Sequence, residues 1–319
     1  MKFVNRNKPD RWKNDIADSV DLYNQWFLQF APKTFRETRI QTTREVESAL
    51  KKTENLINLS PKVLSENPGI LAMLRMSTCP PIARDRLIGL SYVTPSLVKS
   101  LEANKLPQRM ENKKLVKELT KLCNTIQKLI DPDIFTWIET KSTPSDKDVE
   151  RAATIVADRL CGAVADPIVR NAQEKRQLSV ITQWLEERNY RKLEPNEAKD
   201  FREFPKGTFD FHFNVPVNLN EEKTVNIPVD IIINPHKNTS ANIPILIEAK
   251  SAGDFTNVNK RRKEEAVKMS QLRNTYGDKI QFVLFLCGYF DSGYLGYEAA
   301  EGIDWVWEHR IDDLSKLEI

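Results

Sequence analysis

Cysteine, histidine and glycine are scarce in this chain of 319 residues, which contains 4 Cys, 3 His and 10 Gly. The cysteines lie far apart and form neither a disulfide framework nor a CxxC zinc pattern. His212, His236 and His309 are also distant from one another in the sequence, so we expect no histidine-bound metal. No glycine-rich Walker loop occurs, and we therefore expect no nucleotide cofactor.

Long apolar runs and an excess of one charge are absent as well. No run approaches the length of a membrane span, and the first residues, MKFVNRNKPDRWKND, lack the apolar core of a signal peptide. The 48 Lys and Arg residues are nearly balanced by 45 Asp and Glu residues, which leaves a formal net charge of +3. We expect an intracellular protein with no membrane partner, in which any affinity for nucleic acid comes from local basic patches.

The first half of the chain carries helical periodicity. Apolar residues recur at helical spacing in Asp15–Phe30, Thr42–Ile57 and Lys113–Ile130, and Pro32 is expected to end the first of these helices. The segment KSTPSDKD is rich in turn-forming residues and is suitable for a linker. We therefore expect a helical region at 1–145 and a second domain at 146–319.

The second half changes from helical to extended periodicity. Two predicted helices, Val149–Leu160 and Asp166–Arg188, precede three segments rich in Val, Ile and Phe: TFDFHFNVPV, KTVNIPVDIIINP and IPILIEAK. A helix over about residues 259–276 and the apolar strand IQFVLFLCGYF follow them. The order helix, three strands, helix and strand predicts an α/β fold with a mixed sheet flanked by helices.

Two acids and a lysine lie on neighbouring predicted strands. Asp230 belongs to the strand PVDIIINP, and Glu248 and Lys250 end the next strand. Because side chains alternate along a strand, Glu248 and Lys250 point to one face and Ala249 points away. We therefore expect two carboxylates and one amine to converge.

Two carboxylates buried together require a cation or a proton. Mg²⁺ prefers oxygen ligands and typically takes one or two carboxylates with phosphate oxygens. Asp230 and Glu248, with the Ala249 carbonyl, would provide such a site, and Mn²⁺ is an expected substitute. Lys250 would orient or activate water and stabilise the charge that builds on phosphorus. This pattern predicts metal-assisted hydrolysis of a phosphodiester.

A basic segment follows the lysine. The sequence TNVNKRRKEEAVKMSQLRNTYG predicts a helix in which Lys260, Arg261 and Lys263 neutralise phosphates beside the scissile bond. Gln271 lies about three turns further along the helix, and we expect it to point towards the site. Alternatively, much of this run is a solvated surface on which Glu264 and Glu265 pair with Lys260 or Lys268, four residues away.

The spaced acid and the Glu-Ala-Lys triplet resemble the PD-(D/E)xK nuclease superfamily. The triplet is intact at positions 248–250, whereas the proline stands two residues before the acid, as Pro228-Val229-Asp230. In that superfamily a helix before the sheet often lends a glutamate to the metal environment. The resemblance makes Glu174 the candidate, since it shares a helix face with Asn171 and Gln177. Alternatively, this face is the solvated first half of an amphipathic helix and has no role at the metal.

Three longer segments are similar to the XamI family of type II restriction endonucleases. They are DRWKNDIADSVDLYNQWFLQFAP, MLRMSTCPPIARDRLIGLSYV and SAGDFTNVNKRRKEE. The resemblance implies a restriction-endonuclease-like core and Mg²⁺-dependent, site-specific cleavage of double-stranded DNA that leaves 5′-phosphates, in the cytoplasm of a prokaryotic cell. The name-giving member is associated with the palindrome GTCGAC, so that hexamer or a related one is the expected site.

A palindrome is most simply read by a two-fold symmetric homodimer, so we expect the helical region to serve DNA recognition, dimerisation or both. The segment ARDRL offers base-reading candidates, because Arg suits guanine and Asp suits cytosine in the major groove: Arg84, Asp85 and Arg86. Two alternatives remain open. One is a nuclease of the same superfamily that recognises DNA structure or damage, and the other is a DNA-binding protein whose acidic pair is structural.

Overall fold

The structure is a computed structural model. It describes residues 3–220, 223–237, 243–256, 258–317 and 319, without the side chains of residues 220 and 259–261. The chain divides into two compact units, which we call the sheet unit, Met1–Phe30 with Arg170–Ile319, and the helical unit, Ala31–Val169. The predicted boundary at 145/146 therefore falls inside the sequence of the helical unit.

The first eight α-helices of the described residues are α1 Pro9–Lys52, α2 Pro61–Glu66, α3 Leu71–Met76, α4 Arg84–Ser91, α5 Pro95–Glu102, α6 Asn112–Leu129, α7 Thr136–Thr140 and α8 Asp146–Glu186. The helical unit has its own apolar core, to which the predicted amphipathic face of α6 contributes Leu115, Leu119, Leu122 and Ile126. In the part of the chain that the structure describes, no helix is both long enough and apolar enough to cross a membrane.

Two prolines lie inside long helices, contrary to the sequence-based expectation. Pro32 was expected to end a helix, but α1 continues through it. Helix α8 joins the two predicted helices Val149–Leu160 and Asp166–Arg188, so that Pro167 lies in its interior and not in the first turn of a helix. A proline in a helix interior costs about 3 kcal/mol because it removes a hydrogen bond and crowds the preceding turn. Each helix buries apolar side chains on both sides of its proline, for example Tyr23 and Leu50 in α1. This packing offsets the local cost.

The sheet unit contains the remaining elements. Its strands are β1 Arg191–Lys192, β2 Thr208–Asn220, β3 Lys223–Asn234, β4 Ile245–Ala252, β5 Phe282–Gly288 and β6 Asp304–Trp307, and its further helices are α9 Val258–Tyr276 and α10 Ser292–Ala300. Among the described residues the six strands form one sheet in the order β1 to β6. Strands β2, β3 and β4 pair antiparallel, whereas β1 with β2, β4 with β5 and β5 with β6 pair parallel. This confirms the predicted α/β fold with a mixed sheet.

The two faces of the sheet are covered by different helices. One face carries Ile232, Leu246 and Leu284 and packs against Met269 and Leu272 of α9. We call it the α9 face. The opposite face is covered by the end of α8, through residues that include Ile181 and Leu185. Because side chains alternate along a strand, the even-numbered positions of β3 and β4 belong to the α9 face.

Candidate active site

Asp230 and Glu248 are brought together by the pairing of β3 with β4. Ile231 lies opposite Ile247 in the antiparallel register, so the two acids occupy the next opposed positions. The Ala249 amide donates a hydrogen bond of 2.9 Å to Asp230 Oδ2. Burial and, to a smaller extent, the charge of Glu248 raise the pKa of Asp230 to about 6, although the Ala249 amide opposes the shift. The predicted convergence of the acids is thus present.

Glu248 is 5% exposed and receives two ammonium groups on the same oxygen. Lys250 Nζ lies 3.1 Å from Glu248 Oε1, and Lys268 Nζ lies 2.8 Å from that atom. Lys268 also donates to the Pro228 carbonyl at 3.2 Å. The other oxygen, Glu248 Oε2, is buried without a hydrogen-bond partner. Such an orphaned acceptor is costly in a protein interior, which makes it a candidate ligand atom.

Lys250 is held from two sides. Its Nζ lies 2.9 Å from Glu265 Oε1 on α9, in addition to its contact with Glu248. Burial lowers the pKa of Lys250, but the two carboxylates more than offset that effect, so its pKa lies above the ordinary value of a lysine. The lysine is therefore charged at neutral pH.

The pairing expected for Glu265 was wrong. It was interpreted as an exposed partner of Lys260 or Lys268, but it is 1% exposed and contacts Lys250. Lys268 reaches Glu248 on the neighbouring strand. Both residues are functional candidates that the sequence reasoning missed. A signal for Glu265 was present, because it falls on the same helical stripe as the buried residues Met269 and Leu272.

The donor set fits a hard divalent cation. Asp230 and Glu248 supply carboxylate oxygens, and Glu248 Oε2 has no other partner. Within the described ranges, no group of three or more His, Cys, Asp or Glu side chains is placed to hold a metal. Mg²⁺ commonly takes only one or two carboxylates and completes its shell with water and phosphate oxygens. Two protein carboxylates are therefore sufficient for such an ion.

Glu174 lies on α8 and contacts a different partner. Its Oε1 is 3.6 Å from His212 Nε2, and both side chains are about half exposed, at 48% and 58%. His212 has the positive φ of 53°, which is uncommon for a residue other than glycine, and it interrupts the pairing of β2 with β3 beside Asp230. The neighbouring α8 residue Gln177 donates to the carbonyls of Lys250 and Phe285, at 3.4 Å and 3.3 Å. A role of Glu174 at the metal stays a prediction.

The basic segment begins α9. Lys260 and Arg261 lie in its first turn, but their side chains lie outside the described part of the structure. Lys263 is exposed and Gln271 is partly buried. The guanidinium of Arg262 lies 4.9 Å from the centre of the Tyr297 ring. The phosphate contacts expected of this segment remain predictions.

The three base-reading candidates lie in the helical unit, at the start of α4. Asp85 and Arg86 are exposed. Arg84 donates from its Nε to Glu102 Oε2 at 2.6 Å, and Glu102 also accepts from Arg75 at 2.6 Å. Arg84 is therefore partly engaged in an ion-pair network of its own unit, whereas Asp85 and Arg86 present their side chains to solvent.

A mixed sheet that gathers two acids and a lysine on one face is the arrangement expected of a PD-(D/E)xK-type nuclease. The sequence model of the XamI restriction endonuclease family matches residues 54–307. Since this match covers well over half of the 319 residues, the chain belongs to the XamI restriction endonuclease family.

Two individual proteins are similar to the chain. The type II restriction enzyme SalI from Streptomyces albus G is 55% identical over 312 residues, which cover 98% of each protein. The crystal structure of protein VC1899 from Vibrio cholerae matches 90% of this chain and 55% of its own, at 13% identity and a TM-score of 0.27. The second likeness is too weak to support a conclusion. The family and the first relative identify a type II restriction endonuclease, a site-specific enzyme that hydrolyses DNA.

Proposed function

We propose that the enzyme cleaves double-stranded DNA at GTCGAC or a related palindrome, in a Mg²⁺-dependent reaction that leaves 5′-phosphates. The observation that carries this proposal is the group formed by Asp230, Glu248 and Lys250, in which Glu248 Oε2 has no hydrogen-bond partner. The arrangement supplies what phosphodiester hydrolysis requires, namely oxygen ligands for a cation and a fixed positive charge beside them.

Each residue of this group has a distinct part. Asp230 and Glu248, with the Ala249 carbonyl, would hold Mg²⁺, and Mn²⁺ would be accepted by the same oxygens. When bound, the ion polarises a phosphate oxygen and lowers the pKa of water. Lys250 carries a buried ammonium that stabilises the negative charge developing on the phosphoryl group. Lys268 adds a second positive charge at Glu248.

The remaining contacts with DNA are assigned by residue type and position. We assign phosphate contacts to Lys260, Arg261 and Lys263 at the start of α9, and base reading to Arg84, Asp85 and Arg86 at the start of α4. Gln271 would contact DNA on the catalytic face. Glu174 would add a third carboxylate to the metal environment. Because a palindrome has two-fold symmetry, the functional form is a homodimer in which each subunit cuts one strand. It would act in the cytoplasm of a prokaryotic cell.

The test is a cleavage assay on a plasmid of known sequence that contains GTCGAC. The wild type with Mg²⁺ should give discrete bands, and sequencing their ends should report one palindrome, one stagger and 5′-phosphates. Lys250→Ala should lower the cleavage rate by about 10²- to 10³-fold, because it removes a preorganised charge. The exposed residue Lys279 provides the matched control, and Lys279→Ala should cut at the wild-type rate.

Other outcomes would overturn the proposal in identifiable ways. Full activity of Lys250→Ala would contradict the mechanism. Discrete ends at an unrelated site would contradict the expected palindrome but leave the mechanism intact. Cleavage confined to flaps, junctions or lesions would favour a structure-specific nuclease. Binding in EDTA without any cleavage in Mg²⁺ or Mn²⁺ would favour a non-catalytic DNA-binding protein.

A further inference from the structure

Among the described side chains of helix α9, Glu265 is the charged residue that lies on the buried stripe. Val258, Met269 and Leu272 are at most 4% exposed, and Glu265 falls on the same stripe with 1% exposure. A buried carboxylate is costly unless an opposite charge or hydrogen bonds compensate for it. Neither oxygen of Glu265 has a hydrogen bond of good geometry. Its compensation is the ion pair with Lys250 at 2.9 Å.

The two carboxylates that contact Lys250 differ in the number of ammonium groups that each one contacts. Glu248 Oε1 is shared between Lys250 and Lys268, at 3.1 Å and 2.8 Å. Among the described ion pairs, Glu265 contacts Lys250 alone. A cation bound to Glu248 Oε2 would add a third positive charge that competes for the same carboxylate. Glu265 would then be the anion that still balances the charge of Lys250.

Glu265 has a second buried acid as a neighbour. A second acid, Glu298 of α10, is 0% exposed and close enough for the two charges to interact. Burial raises the pKa of Glu298 to about 8, and the charge of Glu265 contributes to the increase. Glu298 is therefore mainly protonated at neutral pH. Among the described ion pairs, the cation that Glu265 contacts is Lys250, at 2.9 Å.

We propose that Glu265 is a positioning residue that holds the Lys250 ammonium at the candidate active site. A lysine side chain has many rotamers, so an ammonium without a second anchor would sample several of them. Glu265 lies across from Glu248 and fixes Lys250 between the two carboxylates. The inference rests on the proposed function, in which Lys250 acts on the phosphoryl group.

The experiment measures single-turnover cleavage with enzyme in excess, together with DNA affinity in the absence of a divalent ion. Glu265→Gln keeps the size of the side chain and removes its charge, and it should lower the rate by about 10- to 100-fold, the usual effect of losing a supporting contact. The DNA Kd and the melting temperature should stay near the wild-type values. Glu265→Asp keeps the charge and should retain more activity than Glu265→Gln.

A double-mutant cycle shows whether Glu265 acts through Lys250. In the Lys250→Ala background, Glu265→Gln should cause no further loss, because the group it positions is gone. The matched control is Glu264→Gln on the same helix, where the side chain is exposed, and it should cut at the wild-type rate.

Several results would overturn the inference. They are a wild-type rate for Glu265→Gln, a loss of DNA affinity equal to the loss of rate, and the same fold-loss in both backgrounds. If Glu265→Gln does not fold, the cycle is run with Glu265→Asp, and equal losses in both backgrounds overturn the inference again. If the proposed function itself is wrong, Lys250→Ala cuts at full rate. If only the inference is wrong, Lys250→Ala is impaired and Glu265→Gln is not.

Discussion

Among the described residues, buried acids with unsatisfied oxygens occur in the sheet unit and not in the helical unit, although the sheet unit also has satisfied ones such as Asp304. In the helical unit, Glu118 accepts hydrogen bonds from the amide and hydroxyl of Thr94, at 2.9 Å and 2.8 Å. Asp131 pairs with Arg159 at 3.1 Å. In the sheet unit, by contrast, all buried carboxylate oxygens of the described residues that lack a hydrogen bond belong to Glu248, Glu265 and Glu298.

Whether the oxygens of a buried acid have hydrogen-bond partners distinguishes structural acids from functional ones. A buried acid whose oxygens are all satisfied stabilises the fold, and nothing remains for it to bind. A buried acid with unsatisfied oxygens costs folding free energy, and such costs persist mainly at functional sites. The restriction endonuclease therefore has its candidate chemical centre on the α9 face of the sheet, around Glu248.

The strongest effect on stability is expected in the helical unit. Glu118→Gln replaces two charge-assisted hydrogen bonds from Thr94 with neutral ones and should cost about 1–3 kcal/mol of unfolding free energy. Cleavage by the folded fraction should be unchanged. Urea unfolding measures the first quantity and single-turnover cleavage the second. Glu47→Gln, at an exposed site of α1, is the matched control and should leave both unchanged.

The opposite result would break the comparison. If Glu118→Gln abolished cleavage while the protein remained folded, a satisfied buried acid would be part of the chemistry, and hydrogen-bond satisfaction would not distinguish the two kinds of acid.

A pH-dependent effect on stability is expected at Glu298. Burial raises its pKa from 4.5 to about 8, so the native state keeps a proton that the unfolded chain releases. This acid therefore makes stability fall as pH rises from about 4.5 to 8. Glu298→Gln cannot titrate, so its stability relative to the wild type should increase steadily over that range.

Thermal unfolding of the two proteins at several pH values measures this difference. An advantage of Glu298→Gln that is constant from pH 5 to pH 8 would mean that Glu298 is ionised throughout.

The sequence predicted the parts of the site that follow from strand geometry. Alternation placed Glu248 and Lys250 on one face, and β3 delivers Asp230 beside them. The amphipathic helix α6 and the helix α9 were also predicted close to their observed bounds. These features depend on local periodicity, which a sequence displays directly.

The predictions that were wrong concern features that depend on tertiary packing. The rule that proline ends a helix predicted an end of α1 at Pro32. Burial of apolar side chains on both sides of the proline keeps the helix continuous. The rule of pairing four residues apart assigned Glu265 to the surface, although its ion pair is with Lys250 on another element. Spacing alone does not reveal which helix face meets the sheet. The buried neighbours of Glu265 on its stripe were the usable signal.

The most direct test of the central claim is the binding of Mn²⁺ to the protein, measured by titration calorimetry. If the unsatisfied oxygen of Glu248 is a cation ligand, the wild type should bind Mn²⁺, and Glu248→Gln should bind it at least about tenfold more weakly. Glu118→Gln, which alters a satisfied acid, should bind like the wild type. Equal affinity of Glu248→Gln and the wild type would contradict the account.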